Sequence, residues 1–303
     1  MTAHHDALQT LLKAALESPG LLPPNEFNLA RYSLYQHTRN RLLDPDILAL
    51  EDYFIDHIGL PDADLNAELL GAFGDAVHAI CAADDTALRL GYQHMWWLLM
   101  WLNIHHPPSF FGEDPDSPLQ ALQMAAAVGL GEWAAAYHHI EEGLTVLFEQ
   151  ANSPLPRVQR IAALGLERLL RRTWAPTQRR LRYMALAANA PEWRLIVTAN
   201  SRALYSGTTQ PPSALVDVLD IMQRALRYVW SQTVVDDALR ATLQEALVHV
   251  VPSDAPSVFL QMATWARWPS EDVRWIIRAV LEDLYADPQW AEGAAWVAGY
   301  LAD

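Results

Sequence analysis

The chain has 303 residues, 51% of them hydrophobic, which is enough to bury a large core without cross-links to hold it. Its only cysteine, Cys81, excludes an intramolecular disulfide. The net charge of −15 is unevenly placed: residues 1–150 carry 21 acids against 5 basic residues, whereas residues 151–303 carry 15 acids against 16. The first half therefore opposes phosphate binding, which depends on counterion release.

Strand signals are scarce, and segments of 12 to 20 residues rich in Ala, Leu, Arg and Glu alternate with turns of Pro, Gly, Asn and Asp, so the chain reads as all-α. The opening MTAHHDALQTLLKAALE lacks the basic start and unbroken apolar core of a signal peptide, and with one cysteine it predicts a cytoplasmic protein. Helices are expected over 44–58, 64–82 and 85–104. The last contains the apolar run Met95–Leu102, MWWLLMWL, far short of the roughly 20 residues needed to span a bilayer. It reads as a buried helix, and no membrane is expected. A loop over 105–118, rich in Pro, Asp and Phe, is the expected boundary between an N-terminal helical region, 1–116, and a C-terminal region, 117–303. The N-terminal region reads as a bundle or as degenerate repeats.

Beyond that loop an apolar template recurs at offsets 0, +3, +4, +7, +8 and +11, one face of a helix. Val158, Ile161, Ala162, Gly165, Leu166 and Leu169 fit it, as do Val273, Ile276, Ile277, Val280, Leu281 and Leu284. Trp193, Ile196, Val197 and Leu204 fill four positions, with Asn200 and Ser201 at +7 and +8. Val235, Ala238, Leu239, Thr242, Leu243 and Ala246 fill the set with one polar substitution. The starts are 35, 42 and 38 residues apart, the spacing of helical hairpins. First helices are expected over 132–149, 177–188, 213–230 and 256–267, and a closing helix over 288–302.

Three template helices follow a proline: Pro156-Arg157-Val158, Pro191-Glu192-Trp193-Arg194 and Pro269-Ser270-Glu271-Asp272-Val273-Arg274. In these openings and their period the segment 117–303 resembles the HEAT-like (armadillo/HEAT-type) helical repeats. The resemblance implies an α-solenoid of hairpins whose second helices line a concave surface.

Catalytic and metal signals are thin. No Gly-x-Ser-x-Gly elbow, phosphate-binding glycine loop, Gly-x-Gly-x-x-Gly or Glu-x-x-His occurs, and no cofactor is expected. His138-His139 with Glu141-Glu142, read on one helix, is the best metal cluster, and Asp75-x-x-His78 the nearest to a di-iron motif; a solvated helix face explains both. Cys81 lies in an apolar helical context and reads as core, and acid pairs such as Asp236-Asp237 read as helix caps.

The arginines carry more. Counted from each template start, Arg157, Arg160 and Arg168 stand at −1, +2 and +10, Arg194 and Arg202 at +1 and +9, Arg240 at +5, and Arg274 and Arg278 at +1 and +5, all on the polar side, with Trp275 at +2. By the resemblance they would form a ladder on one inner wall. The expected function is a non-enzymatic scaffold that takes a protein or peptide, acidic in character, on that surface. A second reading is a nucleic-acid binder like the DNA-alkylation-repair glycosylases, which are also HEAT-like; the ladder and Trp275 favour it and the acidic first half opposes it.

Overall fold

A computed structural model of the chain describes residues 3–17, 45–57, 67–83, 95–96, 98–100, 102, 120–154, 156–205 and 211–301. Regular structure among the described residues is helical, with no strand, so the protein is all-α. Among them no helix is long and apolar enough to cross a membrane. The chain divides into two compact units, Met1–Leu169 and Leu170–Asp303. The loop expected to mark the boundary, 105–118, lies outside the described residues.

The first unit contains α1 (Ala3–Glu17), α2 (Pro45–His57), α3 (Ala67–Ala82), α4 (Gln120–Ala136), α5 (Ile140–Ala151) and most of α6 (Pro156–Arg172). Helix α3 packs on α1 and α4, and α4 on α5. Leu8, Leu12, Phe54, Phe73, Val77 and Trp133 are fully buried among them. Of the apolar run 95–102, Met95, Leu98, Leu99 and Leu102 are fully buried, and Trp96 lies against Trp133 with ring centroids 4.6 Å apart. Helices α4 and α6 approach at glycines: a Cβ on Gly131 would stand 2.1 Å from the Gly165 carbonyl oxygen, and one on Gly165 2.2 Å from that of Ala127. Gly165 occupies its template position because only a missing side chain lets the two backbones meet.

The single helix expected over 132–149 is two helices. The chain turns after Ala136, His138 takes a left-handed φ of 60°, and α5 starts at Ile140. Amphipathic spacing continued across the turn, so periodicity alone could not place the break.

The second unit holds α7 (Trp174–Met184), α8 (Ala190–Tyr205), α9 (Ala214–Ser231), α10 (Asp237–Val250), α11 (Ala255–Ala266), α12 (Glu271–Tyr285) and α13 (Ala291–Ala298). Helix α9 meets α7 and α11, and α10 meets α8 and α12. The helices read above as first ones, α7, α9 and α11, therefore touch in turn, as do the second ones, α8, α10 and α12, and α13 covers α11 and α12. The helix starts are capped by the side chains that the sequence offers. Asn189 and Glu192 exchange bonds at 2.9 and 3.0 Å in a capping box, Asp236 accepts from the Leu239 N–H at 3.0 Å, and Ser270 accepts from that of Val273 at 3.4 Å.

The template faces are core. All six positions are buried in α6 and in α12, as are Trp193, Ile196 and Val197 in α8. Asn200 and Ser201 are buried too. Asn200 accepts from Gln178 of α7 and donates to the Ile196 carbonyl at 2.8 Å, while the Ser201 hydroxyl donates to the Thr198 carbonyl at 3.0 Å, so their polar groups are satisfied inside the stripe. The set that starts at Val235 is corrected: the helix begins at Asp237, Ala238 faces solvent, and the buried stripe is Leu239, Leu243, Ala246, Leu247 and Val250. The Asp236 cap sets that start, and Val235 is buried ahead of it.

Candidate functional site

The residues of the expected ladder fall into unlike environments. Arg168 is corrected most. It does not face solvent: its side chain is 14% exposed, with Nη1 donating to Glu132 Oε1 at 2.8 Å and to Asp75 Oδ1 at 3.0 Å, and Nη2 to the Gly71 carbonyl at 3.2 Å. Offset +10 borders the buried stripe, and a long arginine there reaches the acids of α3 and α4 instead of water. Burial works to lower its pKa, but the bonds to Asp75 and Glu132 outweigh that and raise it. Arg160, also in the first unit, is exposed, and the side chain of Arg157 lies outside the described residues.

In the second unit the arginines of α8, α10 and α12 are interleaved with acids. Arg240 donates to Asp237 at 2.7 Å and to Asp272 of the next second helix, and its guanidinium lies 5.7 Å from the centroid of the half-exposed Trp275. Arg278 Nη1 stands 3.7 Å from Glu271. Arg202 lines a cavity of about 150 Å³ together with Glu245 and His249. Arg274 is half-buried, donating through Nε to the Trp268 carbonyl at 3.3 Å, and Arg194 is half-buried near the start of α8. In this row Arg240 ties two neighbouring helices through Asp272, and the pairs Arg240–Asp237 and Arg278–Glu271 each lie within one helix.

The histidine cluster is taken apart by the turn after α4. His138 precedes α5 and is exposed, so it does not share a helix face with Glu142. His139 pairs with Glu142 at 3.0 Å. Burial pushes the Glu142 carboxyl up, and the bond from His139 with a local backbone N–H carries it below its usual value. Asp75 turns to Arg168, and His78 Nδ1 stands 3.1 Å from Glu132. Among the described residues no three His, Cys, Asp or Glu side chains converge as metal ligands. Cys81 is buried on α3, and burial above all pushes its thiol up to about 12, with a bond to Tyr137 acting the other way and the charge of Glu132 reinforcing the rise.

A different feature of the second unit draws cations and aromatic rings together: the C-terminal ends of its first helices. At the end of α7 the Arg180 guanidinium lies 5.1 Å from the Tyr183 ring centroid. At the end of α9 Arg227 lies 5.9 Å from the ring of Trp268, which is 5.6 Å from that of Trp230. Just past α11 Arg267 lies 4.3 Å from the ring of Tyr300, itself 5.2 Å from that of Trp296. Tyr183, Leu186, Trp230 and Trp296 are among the large apolar side chains left exposed in this unit. Arg227 and Arg267 are exposed and have no carboxylate partner among the described residues. Arg182 and Arg224, by contrast, are held by Asp217 and Asp220 at 2.6–3.1 Å.

Between the ends of α7 and α9 lies an open cavity of about 450 Å³, within the size range of ligand pockets. Leu186, Trp193, Arg224, Arg227, Tyr228 and Ser231 line it, and among the described residues no acidic side chain does. Trp193 is 3% exposed, and its indole N–H meets no acceptor among the described residues.

The template did not find this edge, because it followed the second helices. A sequence signal exists: Arg182-Tyr183, Arg227-Tyr228 and Arg267-Trp268 each place an arginine directly before an aromatic residue at the end of a first helix. Compared with protein-family models and with curated proteins, the chain matches none.

Proposed function

We propose that the protein is a non-enzymatic interaction scaffold, with the hairpins of its second unit stacked in HEAT-like fashion, and that it holds a protein or peptide partner along the aromatic and arginine edge of that unit. The observation that carries this reading is the gathering of exposed Trp230 and Trp296 and half-buried Trp268 and Tyr300 with Arg227 and Arg267, cations that no described carboxylate neutralises. Trp, Tyr and Arg are the residues that dominate binding energy at protein interfaces. A guanidinium over an aromatic face keeps its outer N–H groups for a partner.

This moves the binding surface from the second-helix ladder to the ends of the first helices. Arg240 and Arg278 already lie against Asp237, Asp272 and Glu271, so a partner would have to displace those acids to reach them. The same acids argue against a duplex on that row, because an arginine already paired with a carboxylate neutralises no phosphate and so frees none of the duplex's condensed counterions.

Capture from the native cell extract on the immobilised full chain tests the proposal. Wild type and Arg240→Gln/Arg278→Gln should retain the same specific protein, and Trp230→Ala/Arg267→Ala should lose it. Retention by all three, or loss only with the Arg240 and Arg278 pair, contradicts it.

A further inference from the structure

We infer that the cavity between the ends of α7 and α9 is the anchoring pocket of this edge, and that it takes a carboxylate of an acidic peptide segment beside an apolar side chain. The inference rests on the scaffold reading above and names the chemistry of the partner. Two observations converge. Among the described residues the pocket is lined by two arginines and no acid, and Arg227, unlike Arg224, has no carboxylate to offset its charge, so the site favours an anion. Arg227 has no carboxylate partner among the described residues, whereas Arg224 is tethered to Asp220 at 3.1 Å, so one guanidinium is ready to bind while the other is positioned. Trp193 supplies an apolar wall, since its side chain lines the cavity while its indole N–H is buried out of a ligand's reach.

The remaining lining says what accompanies the carboxylate. Leu186 is 75% exposed at the lip, and Tyr228 stands with its ring 6.2 Å from that of Trp193. A branched apolar side chain next to the acid buries this surface, and a bare phosphodiester does not. An acidic and apolar peptide therefore fits better than a nucleic-acid strand, although aromatic rings with arginine also suit single strands.

The test uses the full chain, labelled with nitrogen-15, and a synthetic peptide, acetyl-Glu-Leu-Asp-Leu-Glu-amide, followed through the tryptophan indole signals; Trp193→Phe assigns the relevant one. Saturable binding with a shift of the Trp193 indole signal is expected, because that ring forms part of the pocket wall. Arg227→Gln should weaken it at least tenfold, and the peptide with Gln and Asn in place of its acids should not bind. Arg227 is on the surface, so its variant keeps the fold even where Trp193→Phe disturbs it. Equal binding of the neutral peptide, unchanged affinity in Arg227→Gln, or tighter binding of an oligothymidylate of equal charge overturns the inference. Loss of a captured protein in Trp230→Ala/Arg267→Ala with no effect of Arg227→Gln on the peptide would defeat the pocket alone and leave the scaffold reading standing.

Discussion

Arg168 of α6 donates to Glu132 of α4 at 2.8 Å, and the glutamate side chain is only 2% exposed. The pair ties two helices of the first unit at a point where neither charge is well hydrated. Gly74 of α3 makes room: a Cβ there would stand 2.8 Å from Arg168 Nη1. Removing one partner of such a pair leaves the other charge buried. Arg168→Ala should therefore destabilise by about 3–5 kcal/mol in urea unfolding, and Arg168→Met with Glu132→Leu should recover much of the loss. A loss under about 1 kcal/mol would mean that the pair behaves as a surface bridge.

The close approach of α4 and α6 gives a second expectation. Gly131→Ala puts a methyl group against the Gly165 backbone, which cannot swing aside as a side chain would, so overpacking should cost about 1–3 kcal/mol or more. Gly299→Ala meets nothing within 4 Å and should be neutral or stabilise slightly. Thermal unfolding of the two variants side by side checks the difference.

What could be read in the sequence follows from which signals are local. The all-α class, the buried template of α6 and α12 and the cap at Asp236 depend on spacing within one helix. The burial of Asn200 depends on Gln178, a residue of another helix, and so looked like a departure from the pattern. Arg168 was misplaced for the same reason, since its partners Asp75 and Glu132 lie 93 and 36 residues away. The first-helix edge was missed because a periodicity search follows buried faces, and this edge is assembled from helix ends.

Ile277 and Arg278 are adjacent on α12 and point opposite ways, one fully buried and the other close to half-exposed. Ile277→Ala should cost about 2–5 kcal/mol through lost transfer energy and the cavity left behind. Arg278→Ala should change stability by less than about 0.5 kcal/mol. Similar losses at both positions would contradict the packing of α12 against its neighbours.

Cys81 predicts a pH dependence. Its thiol ionises near 12 when folded, well above the value of about 8.5 usual for an unfolded chain. Below pH ~8.5 the thiol is protonated in both states and its burial contributes fully. Above that, only the unfolded chain releases the proton, so stability falls by about 1.4 kcal/mol per pH unit as pH rises toward the folded value. Cys81→Ala should remove this part of the alkaline loss, measured as the wild-type-minus-variant difference in unfolding free energy between pH 8 and pH 10 (~1.5 units above the ordinary thiol value). At pH 8 the native thiol should resist a disulfide reagent that titrates it in denaturant.

The most direct test of the account is where a bound partner protects the protein. Hydrogen exchange on the full chain, free and with the protein captured from the native extract, reports the footprint amide by amide. The expected result is slowed exchange at the ends of the first helices, around 183–188, 226–231 and 265–268, and in 296–301, with little change along 194–202, 240–246 and 274–282 of the second helices. Protection concentrated on those second-helix segments, with the first-helix ends unchanged, would contradict it.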